Sequence, residues 1–278
     1  PSVEIIRNNS NGGYAKGYND ALKQIEADVF CLLNNDVEVT NNWIYPIITC
    51  FQENSETAII QPKILDYKNK TYFEYAGAAG GFLDKYGYPY CRGRIFNTLE
   101  KDELQYEGVS DIFWASGACL FIRKSIFESL GGFDESYFAH QEEIDLCWRA
   151  KNLGHQIKYV SNSVVYHLGG GTLNALNSKK TYLNFRNSLF NLTKNAKGNL
   201  FSLIIIRLKL DGIAAVKFLL SFKPNHTLAI IRAHFSFYLN LSRLLKERKA
   251  LVQSTNYYHK HSIVWQYFVK KKTTFNSL

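Results

Sequence analysis

The stretch Asp28–Asp36, DVFCLLNND, limits the possible folds more than any other part of this chain. Its apolar run has no alternation, as expected of a parallel strand covered on both faces, and it breaks abruptly into Asn34, Asn35 and Asp36. Residues 41–54, NNWIYPIITCFQEN, follow with helical spacing and Asn41 or Asn42 as cap, and residues 57–65, TAIIQPKIL, form the next strand pattern. Alternation of this kind indicates a doubly wound α/β sheet. In such a sheet, polar groups at the C-terminal end of a strand are where ligands bind.

Before this unit, VEIIR at 3–7 reads as a short strand. NNSNGG turns the chain into a helix pattern, AKGYNDALKQIEA, that runs to about Ala27. Gly12, Gly13 and Gly17 at that helix start let backbone N–H groups approach an anion. After the unit, residues 66–111 lose the rhythm and turn rich in Tyr and Gly, which suggests hairpins and loops walling a substrate site. Residues 111–123 return to strand character, and a helix in KSIFESLGGFDE stops at Gly131 or Gly132.

The chemistry is concentrated between Trp114 and Gly171. Glu142 and Glu143 open a helix in which Ile144, Cys147 and Trp148 share a face and Asp145 and Arg149 form an i, i+4 ion pair. The helix dipole favours negative charge at this end, so a carboxylate here is expected to stay ionised and to serve as base or ligand. Acidic first turns also occur for dipole reasons alone. Further on, SVVYH ends at His167 before Gly169, Gly170 and Gly171, a position suited to a metal or phosphate contact, although a His after a strand is often structural.

With 278 residues, 46% hydrophobic and 21% charged, the chain can bury a substantial core. Its five cysteines are scattered and never form a CxxC pair, which argues against a disulfide framework or structural zinc and fits a reducing, cytoplasmic setting. No leader-like apolar segment opens it.

Charge divides the chain. Residues 1–178 carry 15 Lys/Arg against 22 Asp/Glu, and residues 179–278 carry 18 against 2. The basic part contains two helical runs separated by Pro224, LIIIRLKLDGIAAVKFLLSF and LAIIRAHFSFYLNLSRLLKERK. They are too interrupted by charge to span a membrane but suit its interface; an ordinary helical subdomain on the sheet is the competing reading. Nucleic acid is not expected as a partner, since the aromatic residues are scattered without an RNA-binding motif.

In order, NNSNGGYAKGYNDAL, LLNNDVEV, SGACLFIRKSIFESLGGFDESYF, HQEEIDLCWRAKNLGHQIKYV and VVYHLGGGT resemble the motifs of family 2 glycosyltransferases with the A-type (GT-A) fold, particularly the bacterial rhamnosyltransferase-like branch. The resemblance spans roughly residues 3–190. It implies a Rossmann-like mixed α/β sheet over residues 1–178, with 179–278 as a basic amphipathic helical extension. The family begins with a strand, a helix and a strand that hold the nucleotide base, and this chain is expected to start after them.

The resemblance also implies an inverting transfer from a nucleotide-diphosphate sugar to a glycan or lipid-linked acceptor in bacterial surface polysaccharide synthesis. That work would take place in the cytoplasm, peripherally on the inner face of an anionic membrane. The alternative is a non-catalytic sugar-nucleotide or glycan-binding module of the same fold. By resemblance Glu143 is the base, with Glu142 as understudy, and Asp36 and His167 hold Mg2+ or Mn2+. Asn11, Gly13, Gly17, Asn19, Asn34 and Asn35 line the donor; Trp114 and Gly117 face the acceptor. The family's DxD motif stands here as Asn34-Asn35-Asp36, and its ED pair as Glu142-Glu143.

Overall fold

The structure, a computed structural model, describes residues 3–8, 10–169, 177–253 and 256–278. In chain order the elements of the first part are α1 (Gly13–Leu22), β1 (Val29–Leu33), β2 (Val37–Val39), α2 (Tyr45–Glu53) and β3 (Thr57–Asp66). Short strands follow: β4 (Gly81–Leu83), β5 (Pro89–Cys91), β6 (Arg94–Ile95), β7 (Thr98–Leu99) and β8 (Val109–Asp111). After these come β9 (Cys119–Arg123), α3 (Lys124–Ser129), α4 (Glu142–Asn152) and β10 (Gln156–His167), and then the helices α5 (Ser178–Asn195), α6 (Leu200–Leu220) and α7 (Pro224–Ala250).

The main sheet is mixed and runs β1-β9-β3-β10-β2, with β8 also paired to β10. β3 and β10 are parallel, and β9 is antiparallel to both β1 and β3. The C-terminal ends of β1, β3 and β10 therefore lie along one edge, where Leu33 pairs with Cys119 and His167 with Asp66. Alternate residues of β3 feed the two faces. Ile60 and Ile64 pack with Trp43, Ile47 and Phe51 around α2, whereas Ile59 joins the larger core with Leu120, Ile144 and Trp148. Helices thus cover both sides of the sheet, as the alternation of the sequence requires.

Several local expectations are corrected. VEIIR forms no strand: Val3 is 87% exposed, and no neighbouring strand pairs with it. β1 is a strand, but its partner β9 is antiparallel, and Cys31 is exposed. α1 stops at Leu22, because the residues beyond it find no core to cover. α2 starts at Tyr45 with Pro46 in its first turn, and Asn42 has φ 60°, a turn conformation rather than a cap. Residues 111–123 are two pieces, the end of β8 and then β9, joined through a turn at 116–118.

The Tyr- and Gly-rich stretch folds into a separate four-stranded antiparallel sheet, β4-β5-β6-β7, packed against Ile263 and Phe275 of the C-terminal segment. The five cysteines are free. Among the described residues no helix is long and apolar enough to cross a membrane.

Candidate active site

Four pieces of chain meet at the sheet edge where β1, β3 and β10 end. The turn after β1 supplies Asn34, Asn35 and Asp36. Asn34 is anchored through its backbone N–H to the Ala118 carbonyl at 3.0 Å, Asn35 is exposed, and the Asp36 carbonyl accepts from Leu168 N–H at 3.0 Å. This last bond brings the end of β10 to Asp36, and His167 Nε2 lies 3.2 Å from Asp36 Oδ1.

The other imidazole nitrogen, Nδ1, lies 3.3 Å from Glu74 Oε2. Burial alone would lower the pKa of His167, but Glu74 and Asp36 outweigh it and raise the value above that of an ordinary imidazole. Glu74 escapes a reading of the sequence because it sits in a long connection without periodicity. Gly169, at φ 62°, passes so close that an added Cβ would meet Glu74 Oε1 at 2.8 Å. Gly170 and Gly171 lie outside the described residues.

The second half of the site is the start of α4. Glu142 is buried and Glu143 partly exposed. Burial, and then the neighbouring Glu143, raise the Glu142 carboxyl far above its usual range. Burial pushes Glu143 up to about 7, against the pull of the backbone N–H groups of Glu143, Gln141 and Ile144. The expectation that the helix dipole keeps these acids ionised is therefore corrected, because desolvation of two adjacent carboxyls exceeds the dipole's contribution. Asp145 behaves oppositely. Burial would raise it, but Arg149 and Lys194 hold it below the carboxylate range, and the expected Asp145–Arg149 pair is present at 2.7 Å.

Tyr14 ties the halves together. Its hydroxyl donates to the Gly117 carbonyl at 2.8 Å, one residue from the anchor of Asn34, and its ring is close enough to Glu142 and Glu143 to feel their charge. In the neighbouring loop Asn11 Oδ1 accepts from Gly13 N–H at 3.0 Å, and Asn8 bonds the Gly17 carbonyl. Gly13, at φ 82°, packs so tightly on the Phe138 carbonyl that no side chain fits.

Two expected ligand residues are core residues instead. Trp114 is 2% exposed, donates its indole N–H to Phe82 and packs against Gly81, so it has no face to offer a sugar. Asn19 is buried with both ends of its amide spent on Phe133, which removes it from the donor set.

Residues 1–131 match the family model described as Glycosyl transferase family 2. Over these residues the chain is similar to the family 2 glycosyltransferases. The matched residues include Asn11 to Asp36 and Gly117, and end before Glu142 and His167, whose placement rests on the geometry above.

Among curated relatives, the low-salt glycan biosynthesis hexosyltransferase Agl10 of Haloferax volcanii is 26% identical over 216 residues, 74% of this chain and 64% of that protein. The N-acetylglucosaminyl-diphospho-decaprenol L-rhamnosyltransferase of Mycobacterium tuberculosis is 24% identical, over 60% of this chain and 59% of that protein. The chain thus spans about three fifths of the length of these relatives. A solved structure of GalNAc-T7 with UDP, GalNAc and Mn2+ aligns with 59% of this chain and 31% of that one, at 19% identity and TM-score 0.47.

Proposed function

We propose that this chain is a family 2 glycosyltransferase domain that transfers a sugar, with inversion, from a nucleotide-diphosphate donor to a glycan or lipid-linked acceptor in surface glycan synthesis. The observation that carries the reading is Glu143. It is a partly exposed carboxylate whose pKa is raised to about 7, at the same sheet edge as the Asp36–His167 pair. A base with that pKa is half ionised near neutrality, where it best combines availability with driving force for taking a hydroxyl proton. As that proton moves to Glu143, the acceptor oxygen attacks the anomeric carbon opposite the departing diphosphate, and configuration inverts.

The leaving diphosphate needs positive charge. Asp36 and His167 present one oxygen and one nitrogen side by side, while Glu74 backs the other ring nitrogen. Among the described residues no cluster of three or more His, Cys, Asp or Glu is placed to hold a metal ion. Two converging donors fit a cation that keeps several waters and takes oxygens from its phosphate ligand, as Mg2+ does and Mn2+ can. Such an ion would neutralise the leaving group. The relative named for a diphospho-decaprenol substrate supports a lipid-linked acceptor, and the basic helices α6 and α7 support work at an anionic membrane surface.

The test is release of free nucleoside diphosphate by the full-length protein, scanned over sugar nucleotides and divalent ions. Asp36→Ala and His167→Ala should each raise the ion concentration for half-maximal rate by at least about tenfold. Turnover indifferent to chelators would overturn the ligand assignment. No release from any donor would favour a binding module without catalysis.

A further inference from the structure

The loop 136–141 that delivers the chain into α4 is strained. Phe138, His140 and Gln141 have φ of 64°, 69° and 70°, although none is glycine. Such residues persist only where their surroundings impose the conformation. Here the surroundings are one face of α5. Asn184, Asn187, Asn191 and Asn195 follow at spacings of three and four, so they form a single stripe on a helix. The side chains of the last three are buried where apolar residues would be expected.

The side-chain N–H groups of the last three donate to the loop and to α4, while Asn187 Oδ1 accepts from Arg186 Nε on α5 itself. Asn187 Nδ2 donates to the carbonyls of Tyr137, Ala139 and His140, at 3.2, 3.0 and 2.7 Å. Asn191 Nδ2 donates to the Gln141 carbonyl at 3.1 Å, and its Oδ1 accepts from the Tyr137 hydroxyl at 2.8 Å. Gln141 reaches back to the Asn184 carbonyl, and Asn195 donates to Asp145 at 2.8 Å. On its other side the loop is gripped by α1, where Tyr14 N–H donates to the Phe138 carbonyl at 2.8 Å. Left-handed residues turn their carbonyls out of the regular pattern, and an amide with two N–H donors is suited to collecting them.

We infer that this asparagine face is a positioning clamp in which Asn187, assisted by Asn191, holds Phe138, His140 and Gln141 at positive φ and so fixes where Glu142 and Glu143 stand at the start of α4. The inference rests on the catalytic reading of those acids. Asn187 is a positioning residue and touches no reacting atom. It does its work through the His140 carbonyl, while Asn191 holds the carbonyl of Gln141, whose left-handed backbone turns the chain into the first turn of α4.

The experiment combines donor and acceptor kinetics with amide hydrogen exchange on the full-length protein. Asn187→Ala should lower kcat at least tenfold while the donor KM stays within about threefold, and should speed exchange at residues 138–144 but not in β3 or β10. His140→Gly removes part of the strain that the clamp opposes, so in its presence Asn187→Ala should cost markedly less in kcat. If Asn187→Ala does not fold, Asn191→Ala, which spares the three loop carbonyls bound by Asn187, carries the same split. A folded Asn187→Ala protein with wild-type kcat, or unchanged exchange in the loop, would overturn the clamp. A wild-type protein without turnover would instead sink the transferase reading, and the exchange arm would still test whether α5 holds the loop.

Discussion

As the proposed base, Glu143 stands where two demands on a carboxyl meet, since that role asks for a group desolvated enough to be basic and open enough to receive a proton. Its partial exposure meets the second, and burial of the Glu142–Glu143 pair supplies the first. Glu143→Gln should therefore lower turnover about 10²–10⁴-fold with donor binding nearly unchanged. Because the ionised form is the base, the rate should climb with pH through about 7 and level off above it. A rate flat from pH 5 to 8 would place the proton transfer elsewhere. The positions of these acids, of Asp36 and of His167 at the ends of elements were legible in the sequence, because the strand and helix patterns already end there. Trp114 and Asn19 were not. A sequence shows that a residue could bind a sugar, but which way it faces is decided by partners distant in the chain, Gly81 for the tryptophan and Phe133 for the asparagine.

At the scale of elements, the joint between α4 and α5 holds a buried ionic network. Asp145 is fully buried and faces Arg149 Nε at 2.7 Å, Lys194 Nζ at 3.1 Å and Asn195 Nδ2 at 2.8 Å. Asp145→Asn would leave two buried cations short of a counter-charge and should cost about 3–5 kcal/mol, seen as a lower midpoint in thermal or urea unfolding. The sign in pH follows from the depressed pKa of Asp145. Its stabilisation is complete above the ordinary carboxylate value of about 4 and is lost as pH falls below that. A variant that melts with the wild type would show the network to be neutral. The strands β3 and β10 and helix α4 were legible because periodicity and end signals agree there. VEIIR reads as a strand by composition, but a strand is a relation between two segments, and among the described residues no strand pairs with it. The asparagine stripe of α5 was legible in spacing too, although only the strained loop opposite gives it a meaning.

For the whole molecule, the question is where the positive charge goes. Lys194 and Arg207 are buried in ion pairs and add nothing to the surface. Along α6 and α7, Lys209, Lys217, Lys223, Arg232, Lys246 and Lys249 are exposed. The only acids of these helices are paired with cations: Asp211 is buried on Arg207, and the partly exposed Glu247 is engaged by Arg243 and lies 3.7 Å from Lys194. The same helices expose Phe201, Ile213, Leu220, Phe235 and Leu239, and Phe222 at the turn between them is 94% exposed. Cations without competing acids beside bulky apolar groups suit an anionic lipid surface, where each well-placed Lys or Arg contributes about 1 kcal/mol. The protein should therefore sediment with vesicles containing anionic lipid and be released by high salt. Lys217→Glu combined with Lys223→Glu and Arg232→Glu should abolish the binding, and Leu220→Ser with Phe222→Ser should weaken it at every salt concentration. Equal binding to neutral vesicles, or no binding to either kind, would overturn the anionic-lipid assignment, and a dimer that Phe222→Ser dissociates would identify this face as a contact with a second copy of the chain.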